Sequence, residues 1–263
     1  MQALLEVEGL DKRFQSHDSA VQAPWVIRNL SFSVGEGEFV TIVGPSGAGK
    51  STVLSMIAQV EPASGGTIRL RGEVVFDSSS PSLRPGLGRQ VGYVTQDDTL
   101  LPWRTLLDNV LFPLEIQGTL DATGRARAAE LLNAVGLTGY ESYFPHQLSG
   151  GMRKRAALVR TLVYDPPIIL MDEPFGALDA ETRAQLQADL QRLWTLRKKT
   201  ILFVTHEIAE AIALGSRILV LKRAPAEIVG DFAVDLQRPR VVDDVLTNPA
   251  FTQLYDRIRG MIR

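Results

Sequence analysis

The sequence predicts an α/β fold: a mostly parallel sheet covered on both faces by helices and interrupted by an inserted helical segment. Three observations lead there. Short apolar runs at 39–43, 167–172 ("PIILMD") and 200–206 ("TILFVTH") alternate with helix-like stretches, the pattern of buried parallel strands joined by helices. A glycine-rich loop, "GPSGAGKS" at 44–51, joins one of those runs to a helix-like stretch. Residues 105–165 look mostly helical, and strand–helix alternation resumes only after them.

The elements follow in order. "ALLEVEGL" (3–10) reads as a first strand, and "QSHDSAVQAP" (15–24) as a polar surface loop. "VIRNLSFSVGEGEFVTIVG" (26–44) reads as two strands joined at Gly35-Glu36-Gly37. "STVLSMIAQV" (51–60) continues as a helix until "EPASGG" stops it with proline and glycines. "TIRLRGEVVFD" (67–77) is strand-like, and "SSSPSLRPGLG" (78–88) is a loop by composition. Within the helical block, Ala128, Leu131, Leu132 and Val135 fall at i, i+3, i+4 and i+7 and define a core-facing stripe. After 167–172 come an amphipathic helix (181–199), a buried strand (200–206), a short helix at "EIAEAIALG" and a final strand at 217–222.

Composition narrows the function classes. With 263 residues the chain can bury a sizeable core, and a formal net charge of −2 gives no reason to expect nucleic acid as a partner. Cysteine is absent, which removes disulfides, thiolate metal sites and cysteine nucleophiles together. "MQALLEVEGLDKRF" lacks the basic and apolar regions of a secretory signal, and no stretch approaches the ~18 apolar residues of a membrane span. The chain reads as cytoplasmic, with any membrane connection made through a partner.

The loop at 44–51 fits G-x-x-x-x-G-K-[ST] at every position and stands between a buried strand and a helix, as the motif requires. In the loop Gly44, Pro45, Ser46, Gly47, Ala48 and Gly49 the glycines would let the chain wrap so that its N–H groups face the β- and γ-phosphates. Lys50 would add a point charge, the Ser51 hydroxyl would take a Mg²⁺ position, and Thr52 continues the helix start. Downstream, "IILMDEP" (168–174) ends a buried strand in two carboxylates. Asp172 fits the Mg²⁺-facing aspartate of phosphate-loop NTPases, and Glu173 could polarise the attacking water. A second glycine pair lies in "HQLSGGMRKR" (146–155), directly before a helix pattern. Bare N–H groups at a helix start suit an anion, yet the chain already has a phosphate loop.

Taken together, these segments resemble the ATP-binding subunit of an ABC transporter over most of the chain. In the family's order stand the Walker A loop "GPSGAGKS", a Q-loop at Gln96 in "VGYVTQDD", and the signature "LSGGM" (148–152). Walker B "IILMDEP", the D-loop "GALDA" (176–180) and a switch histidine, His206 in "FVTHE", follow. The resemblance implies a single ABC ATPase domain over 1–263. Its nucleotide-binding core and N-terminal antiparallel β subdomain would occupy 1–95 and 160–240, its helical subdomain 96–159, and a C-terminal helical tail 241–263. It also implies ATP and Mg²⁺ as cofactors and a head-to-tail homodimer in which Ser149, Gly150 and Gly151 face the γ-phosphate held by the partner's Lys50 and Ser51. Phe14 would stack on adenine, with Trp25 as the alternative; Gln96 would join Asp172 and Ser51 at Mg²⁺; Asp179 would order the dimer interface. His206 would contact the γ-phosphate and hold the geometry of Glu173. His17 and His146 match no motif. Met152 replaces the family's usual glutamine and removes that side chain's polar contact, leaving Ser-Gly-Gly intact.

Softer matches ("DDTLLPWRTLLDNVLFPLE", "DEPFGALDAETR" and "GDFAVDLQRPR") resemble the nitrate, sulfonate and taurine importers. They imply integral membrane permease subunits as partners, a substrate-binding protein acting indirectly, and a peripheral place on the cytoplasmic face of the membrane. Trp103, after Pro102 and before Arg104, lies where the family docks a permease helix; Leu100 and Leu101 suit the subdomain core. The rivals fit less well. A DNA-repair ATPase needs a long coiled coil before the signature, and a translation factor needs two cassettes. A monomeric phosphate-loop kinase or GTPase leaves "LSGGM" unexplained.

Overall fold

The structure is a computed structural model and describes residues 3–14, 23–79, 87–176, 178–223, 225–238, 240 and 248–262, without the side chains of 196 and 197. His17 and most of the two predicted loops, 15–24 and 78–88, lie outside the described residues. The chain forms two compact units, Met1–Leu87 with Lys199–Arg263, and Gly88–Lys198.

In the first unit, β1 (Ala3–Arg13), β2 (Trp25–Gly35), β4 (Gly65–Leu70) and β5 (Glu73–Asp77) make an antiparallel sheet in the order β2-β1-β4-β5. Leu5 and Val7 turn inward from β1 in alternation, and a register irregularity after Val7 brings Leu10 inward as well. The stretch 67–77, strand-like in sequence, splits into two strands because Arg71 (φ 53°) and Gly72 (φ 76°) both take positive φ, the two-residue hairpin geometry that matches strand twist.

The same unit carries four more strands in the order β10-β9-β3-β8. β3 (Phe39–Val43) lies between β8 (Thr200–Thr205) and β9 (Arg217–Lys222), parallel to both. Every residue of β3 and β8 is buried, so both read as continuous apolar runs. The sequence reading placed the final strand at 217–222, but β10 (Glu227–Ala233) follows and pairs antiparallel with β9. Gly230 and Asp231 interrupt its apolar pattern, which is tolerable in a strand with a single buried residue, Phe232. Helix α1 (Lys50–Ile57) follows β3, and α6 (Ile208–Leu214) follows β8. The last helix, α7 (Pro249–Ile262), puts Phe251 and Ile258 into a cluster with Ile212, Val220 and Phe232.

The "QRPR" stretch has a local task. Buried Arg240 donates to the carbonyls of Ile212, Gly215, Val234 and Leu236, and Arg238 to that of Leu214. Two guanidinium groups thereby satisfy the open carbonyl end of α6. Burial draws Arg240 down to about 10.

The second unit holds the parallel pair β6 (Val91–Val94) and β7 (Ile168–Asp172), with α2 (Leu106–Ile116), α3 (Ala122–Ala134), α4 (Gly150–Leu162) and α5 (Ala180–Arg197). Each helix opens on a capping side chain: Thr105, Asp121, Ser149 and Asp179 each accept the N–H three residues on. The α3 stripe of Ala128, Leu131 and Leu132, continued by Val135, is buried as its spacing predicts. Among the described residues no helix is long and apolar enough to cross a membrane.

Candidate functional site

In the first unit the phosphate loop leaves the C-terminal end of β3. A Cβ at Gly44 would come within 2.6 Å of the Leu221 carbonyl oxygen, so the strand can pass β9 only as glycine. Gly47 (φ 76°) and Gly49 (φ 81°) take the left-handed turns that wrap the loop, and Gly49 caps α1. The Ala48 N–H donates to the Pro45 carbonyl at 3.2 Å. Ser46, Gly47 and Ser51 are exposed and Thr52 half-buried, whereas Lys50 is 4% exposed. Its Nζ donates to the carbonyls of Gly44 (2.9 Å) and Pro45 (3.0 Å), so the ammonium is stored across the loop's own backbone.

Three further predicted residues, His206, Phe14 and its alternative Trp25, lie in the same unit. Val43 pairs with Thr205, so Gly44 and the exposed His206 leave adjacent strand ends side by side. A Cβ at Gly49 would touch Ile27 and Val26 at 3.3 and 3.4 Å, so the start of β2 abuts the loop. Trp25 stands at that end, paired with Arg13, and Phe14 is next along β1. Phe14 is 45% exposed, which rules out the core aromatic that a phenylalanine more often is. The Lys12 ammonium stands 4.8 Å from its ring centroid, while Trp25 is covered by the Arg13 guanidinium at 4.0 Å. Sequence reading missed Arg223: its guanidinium lies against Gly47, 3.5 Å from where a Cβ would stand. No motif contains it; only the return of β9 beside β3 puts it there.

The second unit gathers the other motifs. Val94 pairs with Met171, so Gln96 and the two carboxylates leave neighbouring strand ends. Asp172 and Glu173 are half-buried and Gln96 is exposed. Glu173 holds φ at 43°, a conformation that side chains of this type seldom adopt, and its carbonyl accepts the Gly176 N–H at 3.0 Å. The Gln96 Nε2 lies 3.6 Å from the Cβ position of Gly176.

The signature forms the first turn of α4. Ser149 accepts the Met152 N–H at 3.2 Å, so Met152 contributes backbone where its side chain has no polar role. A Cβ at Gly151 would fall 2.6 Å from the Thr182 methyl of α5, the helix that Asp179 opens. Asp179 accepts the Thr182 N–H at 2.9 Å, and hydrogen bonds from Thr182, the backbone one first, hold its carboxyl below the usual carboxylate value. Signature and D-loop are thus neighbours within one unit. His146 is exposed and stacks on Phe144, with no place among these groups.

A Walker A loop closing on a buried lysine, beside a histidine-bearing strand end, defines a phosphate-loop nucleoside triphosphatase; the Ser-Gly-Gly helix start narrows the class. The family model described as "ABC transporter" matches residues 27–176. An uncharacterized ABC transporter ATP-binding protein of Methanocaldococcus jannaschii, MJ0412, is 43% identical over 91% of this chain and 85% of its own. The taurine import ATP-binding protein TauB of Rhizobium johnstonii is 41% identical over 89% of this chain and 87% of its own. The aliphatic sulfonates import ATP-binding protein SsuB of Bacillus cereus is 37% identical over 90% and 88%. Among solved structures, a dimeric post-hydrolysis state of the ATP-binding cassette MJ0796, bound to ADP and Pi, superposes with a TM-score of 0.74 at 30% identity, covering 89% of this chain and 100% of that one. The chain belongs to the ABC transporter family, and it is one of the family's ATP-binding cassettes.

Proposed function

We propose that this chain is the ATP-hydrolysing subunit of an importer for taurine, another sulfonate, nitrate or a similar small solute. It works as a head-to-tail homodimer, bound peripherally to permease subunits on the cytoplasmic face of the membrane and served by a substrate-binding protein. The relatives that import taurine and sulfonates support the transport reading, since each aligns with about nine-tenths of the chain.

The observation that carries the mechanism is Gly150. Its φ is not positive, and a Cβ there would meet only the Arg153 guanidinium at 3.9 Å. Among the described residues neither a close contact nor a positive φ requires glycine there, although glycine weakens a helix interior by up to about 1 kcal/mol relative to alanine. A bare helix start is explained if something from outside approaches it. In the homodimer that visitor is the γ-phosphate held on the partner's phosphate loop, received by the Gly150 and Gly151 N–H groups and the Ser149 hydroxyl.

The remaining roles follow from residue chemistry. Lys50 leaves its carbonyl partners for the β- and γ-phosphates, Phe14 offers its exposed ring to adenine, and Asp179 orders the dimer contact. Ser51, Gln96 and Asp172 are hard oxygen donors of the kind Mg²⁺ takes, and the described residues hold no cluster of three or more His, Cys, Asp or Glu that would cage an ion alone. Magnesium, when bound with ATP, neutralises phosphate charge. Glu173 takes a proton from the attacking water, and the exposed His206 imidazole is available to the γ-phosphate.

The test is reconstitution with the cognate permease and a substrate-binding protein. ATP hydrolysis should rise when the binding protein carries taurine, an alkanesulfonate or nitrate. Hydrolysis that ignores every loaded binding protein while responding to nucleic acid or ribosomes would overturn the importer reading.

A further inference from the structure

We propose that Arg153 is a positioning residue that fastens the Ser149–Gly151 loop to the segment following Gln96, so that displacing that segment displaces the loop. The proposal rests on the reading above, in which that loop meets a partner's nucleotide.

Residues 95–104, between β6 and α2, form no strand or helix of their own. Three cations of α4 supply the partners that hold the start of this stretch. Arg153 Nε donates to Asp98 Oδ2 at 2.9 Å, and Lys154 Nζ donates to the Gln96 carbonyl. Arg160 donates to the Asp98 carbonyl at 3.0 Å and to the carbonyl and hydroxyl of Thr99 at 2.8 Å each. Arg153 and Arg160 are seven residues apart, two turns of one helix face, so the segment is laid along α4 like a strap. Burial draws the pKa values of Lys154 and Arg160 downward, as expected for cations held against protein.

Arg153 differs from the other two because its second arm reaches the opposite way. Nη1 donates at 2.8 Å to the carbonyl of Leu148, the residue directly before Ser149. A guanidinium is a rigid planar fork, so the two acceptors cannot separate without breaking a charge-assisted bond. The far half of α4 is anchored by buried Ala156, Ala157, Val159 and Leu162, but its first turn contains two glycines and only half-buried residues through Arg153. Core packing therefore fixes the helix, while Arg153 fixes where its glycine turn points.

In the purified chain Arg153→Gln should lower kcat about tenfold with KM for ATP within twofold, because Walker A is untouched. Asp98→Asn should lower kcat severalfold, and the double variant should be no worse than Arg153→Gln alone. ATP-driven association, followed by light scattering in a Glu173→Gln background, should fall by the same factors. Should Arg153→Gln prove insoluble, Asp98→Asn carries the same test. Unchanged kcat in Arg153→Gln, or single effects that multiply in the double variant, would overturn the proposal. Ser149→Arg separates the two layers. If it blocks association while Arg153→Gln does not, only the role of Arg153 fails; if Ser149→Arg is also harmless, the dimer reading fails with it.

Discussion

The phosphate loop and the signature loop are both serine-and-glycine turns that open a helix, yet they use glycine for opposite reasons. In "GPSGAGKS" the glycines are conformational: Gly47 and Gly49 take positive φ, and Gly44 passes too close to Leu221 for any side chain. In "LSGGM" neither glycine takes positive φ; Gly151 makes room for Thr182, and a Cβ at Gly150 would meet the Arg153 guanidinium only at an ordinary 3.9 Å. The first loop also carries its own counter-charge, a buried lysine already bonded to the loop carbonyls. The second has a serine cap and a helix start, and its neighbouring guanidinium, Arg153, is already bonded to Asp98 and the Leu148 carbonyl. On the proposed reading, one is the cradle for a phosphate and the other receives a phosphate brought by the partner.

The largest effect should come from a residue that belongs to neither loop. Glu173→Gln should reduce turnover by about 10²–10⁴-fold while ATP affinity stays near normal and an ATP-bound dimer accumulates. Single-turnover assays with the permease present check it; near-normal turnover would mean the water is activated elsewhere. Such a result would sharpen the comparison, since both loops would hold nucleotide without cleaving it.

Next in size is the division of labour itself. Lys50→Ala and Ser149→Arg should each reduce hydrolysis by about 10²–10³-fold, the range for losing one preorganised charge donor. Mixed in one dimer, they leave one site with both defects and one with neither, so partial activity should return if a single intact site turns over. A nucleotide-bound dimer with Ser149 far from the partner's phosphate would break the comparison outright.

Glycine exchange separates the two reasons at smaller scale. Gly47→Ala forces alanine into the left-handed region, at a cost of about 1–2 kcal/mol in stability, and ATP binding should fall with it. Gly150→Ala should raise stability by up to about 1 kcal/mol through helix propensity, yet lower ATPase about tenfold by obstructing the incoming phosphate. Denaturant melts paired with ATPase assays read both. If Gly150→Ala left hydrolysis intact, the open helix start would need another explanation.

How much of this could be seen in the sequence depended on whether the determinant was local. The phosphate loop, the buried runs of β3, β7 and β8, and the α3 stripe are local patterns, and each was legible. β10 was not, because a strand with one buried residue and an internal Gly-Asp carries almost no periodic signal. Nor was β6 singled out, since four residues are too few to show a period. Arg223 beside Gly47, Thr182 beside Gly151 and Asp98 under Arg153 are pairings across long stretches of chain, which no motif spacing encodes. The positive φ of Glu173 was equally hidden, because nothing in "MDEP" announces a left-handed glutamate.

The smallest expected effect on the chain itself, and the most selective one on assembly, belongs to Trp103. The leucines before it divide, Leu100 buried and Leu101 half-buried, while Trp103 is 72% exposed. That exposure is not looseness. Buried Asn109 accepts the Leu101 N–H at 2.7 Å and donates to the carbonyls of Leu101, Arg104 and Thr105, pinning the turn on both sides of the ring. Arg104 is committed as well, 4.6 Å over the Phe112 ring and 2.6 Å from Glu115. A rigid turn that leaves a whole indole outward is the form of an interface anchor, since tryptophan beside a fixed scaffold gains binding energy at low ordering cost. Trp103→Ala should therefore change stability by no more than about 0.5 kcal/mol, as surface substitutions do. It should leave ATP binding within twofold and weaken permease assembly and transport-coupled ATPase. Co-purification with the permease measures the first loss and liposome transport the second. Unchanged assembly would move the anchor elsewhere on this unit and leave both glycine loops as argued.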